Sequence, residues 1–408
     1  MQYKRVGKNG ADASILGYGC MRFPTKNGNT DIDRTEKQVM SAIERGVNYF
    51  DTAYIYPRSE AALGTILNKN GVREKVLIAT KIPPYMVNSR SDMEKILKTQ
   101  LERLKTDYID YYLLHAIPDT KSFEKSKATG LIQFLEEMKQ KGVIRNIGFS
   151  YHGDKNDFKE IIDDYDWDFC QIQYNYIDET NQAGVEGLKH AFSKGIGVVI
   201  MEPLRGGSLV GKMPESIKKI WDRSSTKRSY ADWALRWLWN QPEVGVVLSG
   251  LNEESHIDEN IKIANAVSPD SLSKDELNLY NEVKETYLKL MKVGCTGCAY
   301  CLPCPAGVNI PFCFSYYNTR HLFKARHAVF QYLFFGSDVL GGRNSLASKC
   351  IDCGKCEKVC PQHIEIRKHL KTVTADMEPW WSKPLLGTAG LYFKVKRLFS
   401  GTKQKTTP

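Results

Sequence analysis

No run of apolar residues in this 408-residue chain approaches the roughly 20 that a membrane-spanning helix needs. The opening residues, MQYKRVGKNGADAS, lack an apolar core of signal-peptide length. These two absences lead to the expectation of a cytoplasmic protein without a transmembrane segment. Cysteine is scarce in the first 294 residues. Cys20 and Cys170 stand alone there, while the other nine of 11 lie between 295 and 360. Such clustering in a cytoplasmic chain speaks for metal and against disulfides. Low-complexity tracts are lacking, and no nucleic-acid-binding motif is present, so nucleic acid is not an expected partner.

What is present suits a chain with a sizeable core. Apolar residues make up 42% and charged residues 25%, ordinary values for a globular protein. The length is enough for one large domain and a small one. The net charge of +10 favours anionic partners such as phosphorylated cofactors, acidic proteins or anionic lipid. Part of the surplus is local: after Glu378 there are six Lys or Arg and no acid.

Between residues 14 and about 265, short apolar runs alternate with amphipathic helical patterns. The strand candidates are 14–19, 47–51, 76–81, 109–115, 144–150, 168–173, 196–201 and 244–249. Near-continuous apolar runs of this kind belong to parallel strands buried on both faces. Helical periodicity marks 34–45, 93–104, 131–141 and 230–240, with Asp33 and Ser91 the clearest polar caps. Eight β-then-α units predict a (β/α)8 barrel. A doubly wound sheet would have a Gly-rich first turn, but the first strand ends in Gly17-Tyr18-Gly19-Cys20, without a phosphate fingerprint. Residues 3–6 and 13–15 flank Lys8-Asn9-Gly10 and read as a hairpin plugging the barrel's base. A further helix is expected over 273–292. The predicted organisation is therefore a barrel domain at 1–290, a cysteine-rich domain at 291–370 and a basic aromatic tail at 371–408.

Active sites of such barrels lie at the C-terminal ends of the strands. Strand two ends at Asp51, with Tyr56 in the following loop. Strand three ends at Lys81 and strand four at His115. This set suits proton transfer to a carbonyl oxygen. Tyr56 can give up a proton if its pKa falls from the usual value of about 10, and a neighbouring Lys81 ammonium would lower it. Asp51 would hold Lys81 charged, and His115 could orient the carbonyl or share the proton. The hydride would come from a cofactor. Singly, each residue is more often a solvated or capping side chain; the four together make that reading weak.

Over residues 1 to about 290 the sequence resembles the aldo-keto reductase family. The residues that carry the resemblance are Asp51-Thr52-Ala53 with Tyr56, then Lys81, then His115. Leu16-Gly17-Tyr18-Gly19, Gly148-Phe149-Ser150, Gln171-Ile172-Gln173-Tyr174-Asn175, Ser249-Gly250-Leu251 and Glu259-Asn260 support it. The resemblance implies NADPH or NADH extended across the rim. Ser150 and Gln171 would hold the carboxamide. Pro203, Leu204, Ser249, Gly250 and the helix start after strand eight, with Glu259 and Asn260, would line the phosphate side, a natural anion site. Three positions depart from the family's habit. Tyr151 follows Ser150 where an Asn is common. Met201-Glu202 takes the place of an aromatic that stacks on the nicotinamide. His256 stands where a basic residue often meets the 2′-phosphate.

The second cysteine run, Cys350-Ile-Asp-Cys353-Gly-Lys-Cys356-Glu-Lys-Val-Cys360-Pro361, has the spacing C-x2-C-x2-C-x3-C-P of a bacterial ferredoxin. The first, Cys295-Thr-Gly-Cys298-Ala-Tyr-Cys301-Leu-Pro-Cys304-Pro305, begins alike but has a shorter last gap. In two-cluster ferredoxins the fourth Cys of each run ligates the other cluster. Applied here, Cys295, Cys298, Cys301 and Cys360 would hold one [4Fe–4S] cluster, and Cys350, Cys353, Cys356 and Cys304 a second. Two four-thiolate zinc sites are the alternative, but zinc ribbons use paired rather than triple x2 spacing. Cys313 reads as a buried thiol on an aromatic, helical stretch at 311–335. The 45 residues between Cys304 and Cys350 exceed a compact ferredoxin's link, so a helical ferredoxin-like module is expected.

The tail, with Trp380-Trp381 and residues 385–399, reads as a helix packed on the protein; peripheral membrane contact is the rival. Together these features predict an NAD(P)-dependent oxidoreductase acting on a small carbonyl or alcohol and exchanging electrons with its clusters. Nicotinamide moves two electrons and a cubane one, so either a flavin mediates, bound here without a recognisable motif or supplied by a partner, or the clusters do not exchange electrons with the nicotinamide; a ferredoxin or flavoprotein is the electron partner expected. The rival readings are an electron carrier whose barrel is a partner-binding scaffold, and a reductase whose clusters are structural.

Overall fold

The structure, a computed structural model, describes residues 1–386 other than Asn9, Pro57, Asp154, residues 338–343, Lys383 and Leu385. It divides into two compact units, residues 1–211 with 226–277 and residues 212–225 with 278–408. The second unit thus starts 13 residues earlier than the boundary expected at 290, and it also takes in 212–225. The helix over 274–290 holds both facts together: from Asn278 on it packs with the second group, as Tyr280 does edge-on against Trp221 at 5.0 Å.

Eight strands close the barrel: β1 (Leu16–Gly19), β2 (Tyr49–Asp51), β3 (Leu77–Ile82), β4 (Ile109–Ile117), β5 (Ile144–Tyr151), β6 (Phe169–Gln173), β7 (Gly197–Met201) and β8 (Val246–Ser249). Every neighbouring pair is parallel, and β8 returns to β1. The eight segments match the apolar runs within about two residues because both faces of each strand are buried, one by the barrel interior and one by helices. The antiparallel pair Tyr3–Arg5 and Asp12–Ser14 caps the base; Asn9 of its turn lies outside the described residues. Val6 and Ala13 pack with Tyr49, Ala79, Tyr111, Phe169, Val199 and Val246 to fill the lower interior. Gly197 is required there: a Cβ would lie 2.4 Å from the backbone nitrogen of Gly7. With the base filled, open chemistry is confined to the opposite, C-terminal rim.

The expected helices form, with shifted starts. Helix 32–44 is capped by Asp31, not Asp33, because the Asp31 side chain accepts from the Arg34 N–H. Helix 90–104 is capped by Ser89, not Ser91, in a reciprocal capping box with Asp92. Both caps lie two residues ahead of the expected ones, since the first turn is polar and carries no apolar periodicity. Between helix 59–69, β3 and helix 90–104 a buried polar network fixes the strand: Glu60 accepts from Thr80 at 2.7 Å, from Gln100 at 2.7 Å and from Arg103 at 3.0 Å.

The second unit is helical. The aromatic stretch expected as one helix is two, Ile310–Leu322 and His327–Gly336, broken at Lys324, whose φ is 49°. Ile366–Met377 completes the bundle and runs through the expected 370/371 boundary. Phe314, Tyr332, Leu333, Leu370, Val373 and Met377 form its core. Asn318 ties the start of the cysteine region to this bundle, accepting from the Val293 N–H at 3.0 Å and donating to its carbonyl at 2.7 Å. Trp381 packs near Phe330 at 5.6 Å, while Trp380 is exposed; residues 387–399 of the tail lie outside the described residues. No helix among the described residues is long and apolar enough to cross a membrane.

Candidate functional site

The rim site is built by backbone register before it is built by side chains. β2 ends at Asp51 beside β3, and the chain stays on that neighbour beyond it: Thr52 N–H donates to Ala79 O at 2.8 Å and Tyr54 N–H to Lys81 O at 3.2 Å. A turn in which Tyr56 N–H donates to Ala53 O then places Tyr56 over the end of β3. Lys81 is 1% exposed, and its ammonium donates to both Asp51 oxygens at 2.7 Å and to Thr52 O at 2.8 Å. A buried ammonium needs such complete pairing. The Tyr56 ring centroid lies 5.2 Å from Lys81 Nζ and 5.8 Å from the His115 ring, edge-on. The four residues expected as one group therefore share one small volume.

His115 is almost fully buried. Burial first, then the Lys81 charge, holds its pKa well below the usual histidine value, so its imidazole is neutral. Its Nδ1 is buried and has no hydrogen-bond partner among the described residues. The neutral imidazole lies edge-on to the Tyr56 phenol. Beneath it, burial and the Asp51 charge push the Cys20 thiol far up, so Cys20 is a neutral packing group.

The expected cofactor residues ring this centre. Ser150 is buried at the end of β5 and accepts from the Ala116 N–H at 2.8 Å. Gln171, on β6, donates to Asp51 Oδ2 at 2.9 Å and so joins the Asp51–Lys81 group. Met201 ends β7, half-buried, with its side chain against the barrel interior. Pro203 is buried and Leu204 half-buried in the loop that follows. Asn260 donates to Ser249 Oγ at 2.8 Å, fastening helix 254–266 to β8, while Gly250 is exposed and Glu259 half-buried. At that helix start Arg34 bridges Glu253 and Glu254 at 2.5 and 2.8 Å, and His256 is exposed.

Sequence reasoning missed several rim residues. His152, just past β5, is buried, and burial drops its pKa to about 4. Arg205 is 4% exposed and pairs with the buried Asp178 at 2.9 Å; Asp178 also accepts from Gln173 and Asn175. Glu202 and Arg205 both adopt positive φ, 54° and 48°, in the loop after β7, the kind of local strain that gathers at functional sites. None of these residues carries a local pattern. The double glycine Gly206-Gly207 was the one available sign of a tight turn there.

In the second unit the eight motif cysteines fall into two groups. Cys295, Cys298, Cys301 and Cys360 line one cavity, with Phe314 and Ile366. Cys304, Cys350, Cys353 and Cys356 line another, with Cys301 at its edge. Each group draws from both runs. No three Cys, His, Asp or Glu side chains among the described residues converge on single-ion distance. Two cavities, each lined by four motif cysteines, are what a pair of four-thiolate iron–sulfur clusters would occupy. Cys313 is buried apart from them, 3.7 Å from Ser345 O.

Comparison with known proteins agrees with this geometry. The aldo/keto reductase family model matches residues 15–283, and a 4Fe-4S dicluster domain matches residues 294–365. An uncharacterized oxidoreductase, YqkF of Bacillus subtilis, is 28% identical over 297 residues, covering 65% of this chain and 92% of that protein. The L-galactose dehydrogenase of Arabidopsis thaliana is 27% identical over 305 residues, covering 68% and 92%. Among solved structures, the aldo-keto reductase AKR11C1 of Bacillus halodurans in its holo form is similar with a TM-score of 0.58 and 25% identity, covering 69% of this chain and 96% of that one. The relatives are thus matched over nearly their whole length by the barrel. With its closed eight-stranded barrel, its Asp51–Lys81–Tyr56–His115 group and a 4Fe-4S dicluster domain later in the sequence, this chain is an oxidoreductase that belongs to the aldo/keto reductase family.

Proposed function

We propose that the barrel moves hydride between NADH or NADPH and a small carbonyl or alcohol, with Tyr56 giving or taking the proton, and that the second unit carries two [4Fe–4S] clusters that pass electrons to a ferredoxin or flavoprotein. The observation that carries the reading is the clamped ammonium of Lys81, saturated by Asp51 and Thr52 and facing the Tyr56 ring at 5.2 Å.

A bound nicotinamide supplies or takes the hydride. Everything else falls to side chains. Tyr56 donates its phenolic proton to the carbonyl oxygen as negative charge develops there. Lys81 stabilises the charge left on the phenol oxygen, and because Asp51 holds Lys81 rigidly this needs little reorganisation. His115, kept neutral by burial, offers a ring nitrogen to orient the carbonyl. The Ser150 hydroxyl and Gln171 Oε1 would hold the carboxamide. Ser249, Gly250, Pro203, Leu204, Glu259 and Asn260 would line the phosphate side, and Met201 would replace the usual stacking aromatic. Cys295, Cys298, Cys301 and Cys360 would hold one cluster; Cys304, Cys350, Cys353 and Cys356 the other.

Two measurements test this. Tyr56→Phe should lower kcat/KM on a panel of small aldehydes and ketones by roughly 10²–10⁴-fold while nicotinamide binding is retained; unchanged turnover would remove Tyr56 from its role. Anaerobically purified protein should contain about eight iron and eight sulfide per chain, and NADPH or NADH should bleach the cluster absorption, alone or with a flavoprotein added. Intact clusters that neither nucleotide reduces under either condition would mean that they do not draw on the hydride chemistry.

A further inference from the structure

The net positive charge of this protein comes from one unit. Residues 212–225 and 278–408 contain 23 Lys and Arg against 10 Asp and Glu, while the remainder is slightly acidic. Within that unit a cavity of about 370 Å³ is lined by Lys289, Lys292, Arg320, His321, Lys324, Arg326 and Leu290, with no acid in its wall among the described residues. Three separate segments supply these side chains: the end of helix 274–290, the end of helix 310–322, and the turn before helix 327–336. Ile310, at the other end of helix 310–322, lines both cysteine cavities. Ten residues at 1.5 Å each put Arg320 about 15 Å along the helix from there, so this cavity is distinct from the cluster sites.

Cations at helix C-termini are the ordinary way to offset the helix dipole, and that accounts for some of the charge. Each of the two C-termini is worth about half a negative charge. Asp376 adds one more from below, pairing with Arg320 at 3.1 Å and His321 at 3.0 Å. Lys289 reaches Glu285 only at 3.9 Å on the open surface. Five permanent cations therefore face about two compensating charges. Lys292, Lys324 and Arg326 have no ion pair among the described residues. Arg326 even occupies the N-cap of helix 327–336, where the dipole is positive and a cation is unfavourable. Dipole compensation explains Lys289, Arg320 and His321, but not this excess.

We propose that this cavity is a binding site for a multiply charged phosphate group, carried by a small molecule of nucleotide size or by a lipid headgroup. The volume lies in the range of small-ligand sites. Lysine and arginine side chains from three segments border one depression, a donor set suited to phosphate oxygens. Arg320, held by Asp376 through its guanidinium and by a further bond to Asp376 O at 2.9 Å, forms a fixed floor; Lys292, Lys324 and Arg326 supply the movable cations that close on the phosphates.

The test uses anaerobically purified full-length protein with its clusters. Inorganic tripolyphosphate is titrated calorimetrically into wild type and into a Lys324→Glu, Arg326→Glu double variant, and vesicles with or without a phosphoinositide are tested by sedimentation. Wild type should bind one of the two probes saturably, and the double variant should bind it at least tenfold more weakly, with NADPH affinity changed less than about twofold. Tighter binding of tripolyphosphate assigns a soluble ligand, and tighter binding of the phosphoinositide vesicles a headgroup. The proposal is overturned if neither probe binds below about 1 mM, if charge reversal leaves binding unchanged, or if only an acidic protein is retained.

Discussion

Replacing Lys81 by Met keeps the side-chain length and removes the charge at the centre of the rim site. Three charge-assisted hydrogen bonds disappear, two to Asp51 and one to Thr52 O. Asp51, 4% exposed, keeps the Gln171 amide as a donor but loses the Lys81 ammonium paired with it. Removing one partner of a buried pair costs about 3–5 kcal/mol, because the other charge stays buried and uncompensated. For a barrel of this size, each 1 kcal/mol lowers Tm by roughly 2–4 °C, so Tm should fall by about 6–20 °C at pH 8. The pH dependence separates this cause from a packing fault. An orphaned carboxylate in a buried site has its folded pKa raised above the unfolded value of about 3.9. The folded state then binds more protons than the unfolded one over that interval, so stability falls as pH rises. The gap between wild type and Lys81→Met should therefore narrow from pH 8 to pH 5, and adding Asp51→Asn should recover part of the loss. Urea unfolding followed by circular dichroism measures all three proteins. A gap below about 0.5 kcal/mol at pH 8, or one that does not narrow towards pH 5, would refute the claim that Asp51 and Lys81 depend on each other's charge.

Other outcomes follow from the same structure. His152 has its folded pKa lowered by burial to about 4, against an unfolded value near 6.5. The unfolded chain binds the extra proton first, so its contribution is fully present above pH 6.5 and is lost as pH falls towards 4, by up to about 3 kcal/mol; a His152→Gln variant should show a flatter stability profile over pH 4–7. On the proposed ligand grouping, Cys360→Ser should disturb the cluster assigned to Cys295, Cys298 and Cys301, and Cys304→Ser the one assigned to Cys350, Cys353 and Cys356. Electron paramagnetic resonance of the two reduced variants should lose different signals; loss of the same signal in both would contradict the grouping. Gly197→Ala should lower barrel stability by about 1–3 kcal/mol through the clash with Gly7, readable as a fall in urea midpoint with unchanged slope.

Where the sequence was legible, the signal was local. Asp51, Lys81 and His115 stand at the ends of apolar runs, and a run's end is visible without knowing its neighbours. Ser89 and Asp31 show the limit of such reading: the helix start is set by a side chain two residues ahead of the first recognisable pattern. The aromatic stretch at 311–335 looked continuous because nothing in its composition marks Lys324 as a left-handed turn. His152 and the Arg205–Asp178 pair were invisible for a different reason. Asp178 and Arg205 are 27 residues apart in the loops after β6 and β7, and only the parallel pairing of those strands makes them partners.

The amino-acid sequence by itself determined the barrel, the four polar residues on its rim and the iron–sulfur character of the cysteine runs, because strand burial, strand ends and ligand spacing are all properties of short segments. Tertiary structure decided that Gln171 serves Asp51, that His115 is buried and neutral, that Asp178 and Arg205 pair, and that six basic side chains from three segments face one cavity. Those outcomes depend on groups far apart in the chain being brought within reach of one another, where burial and charge act on them together.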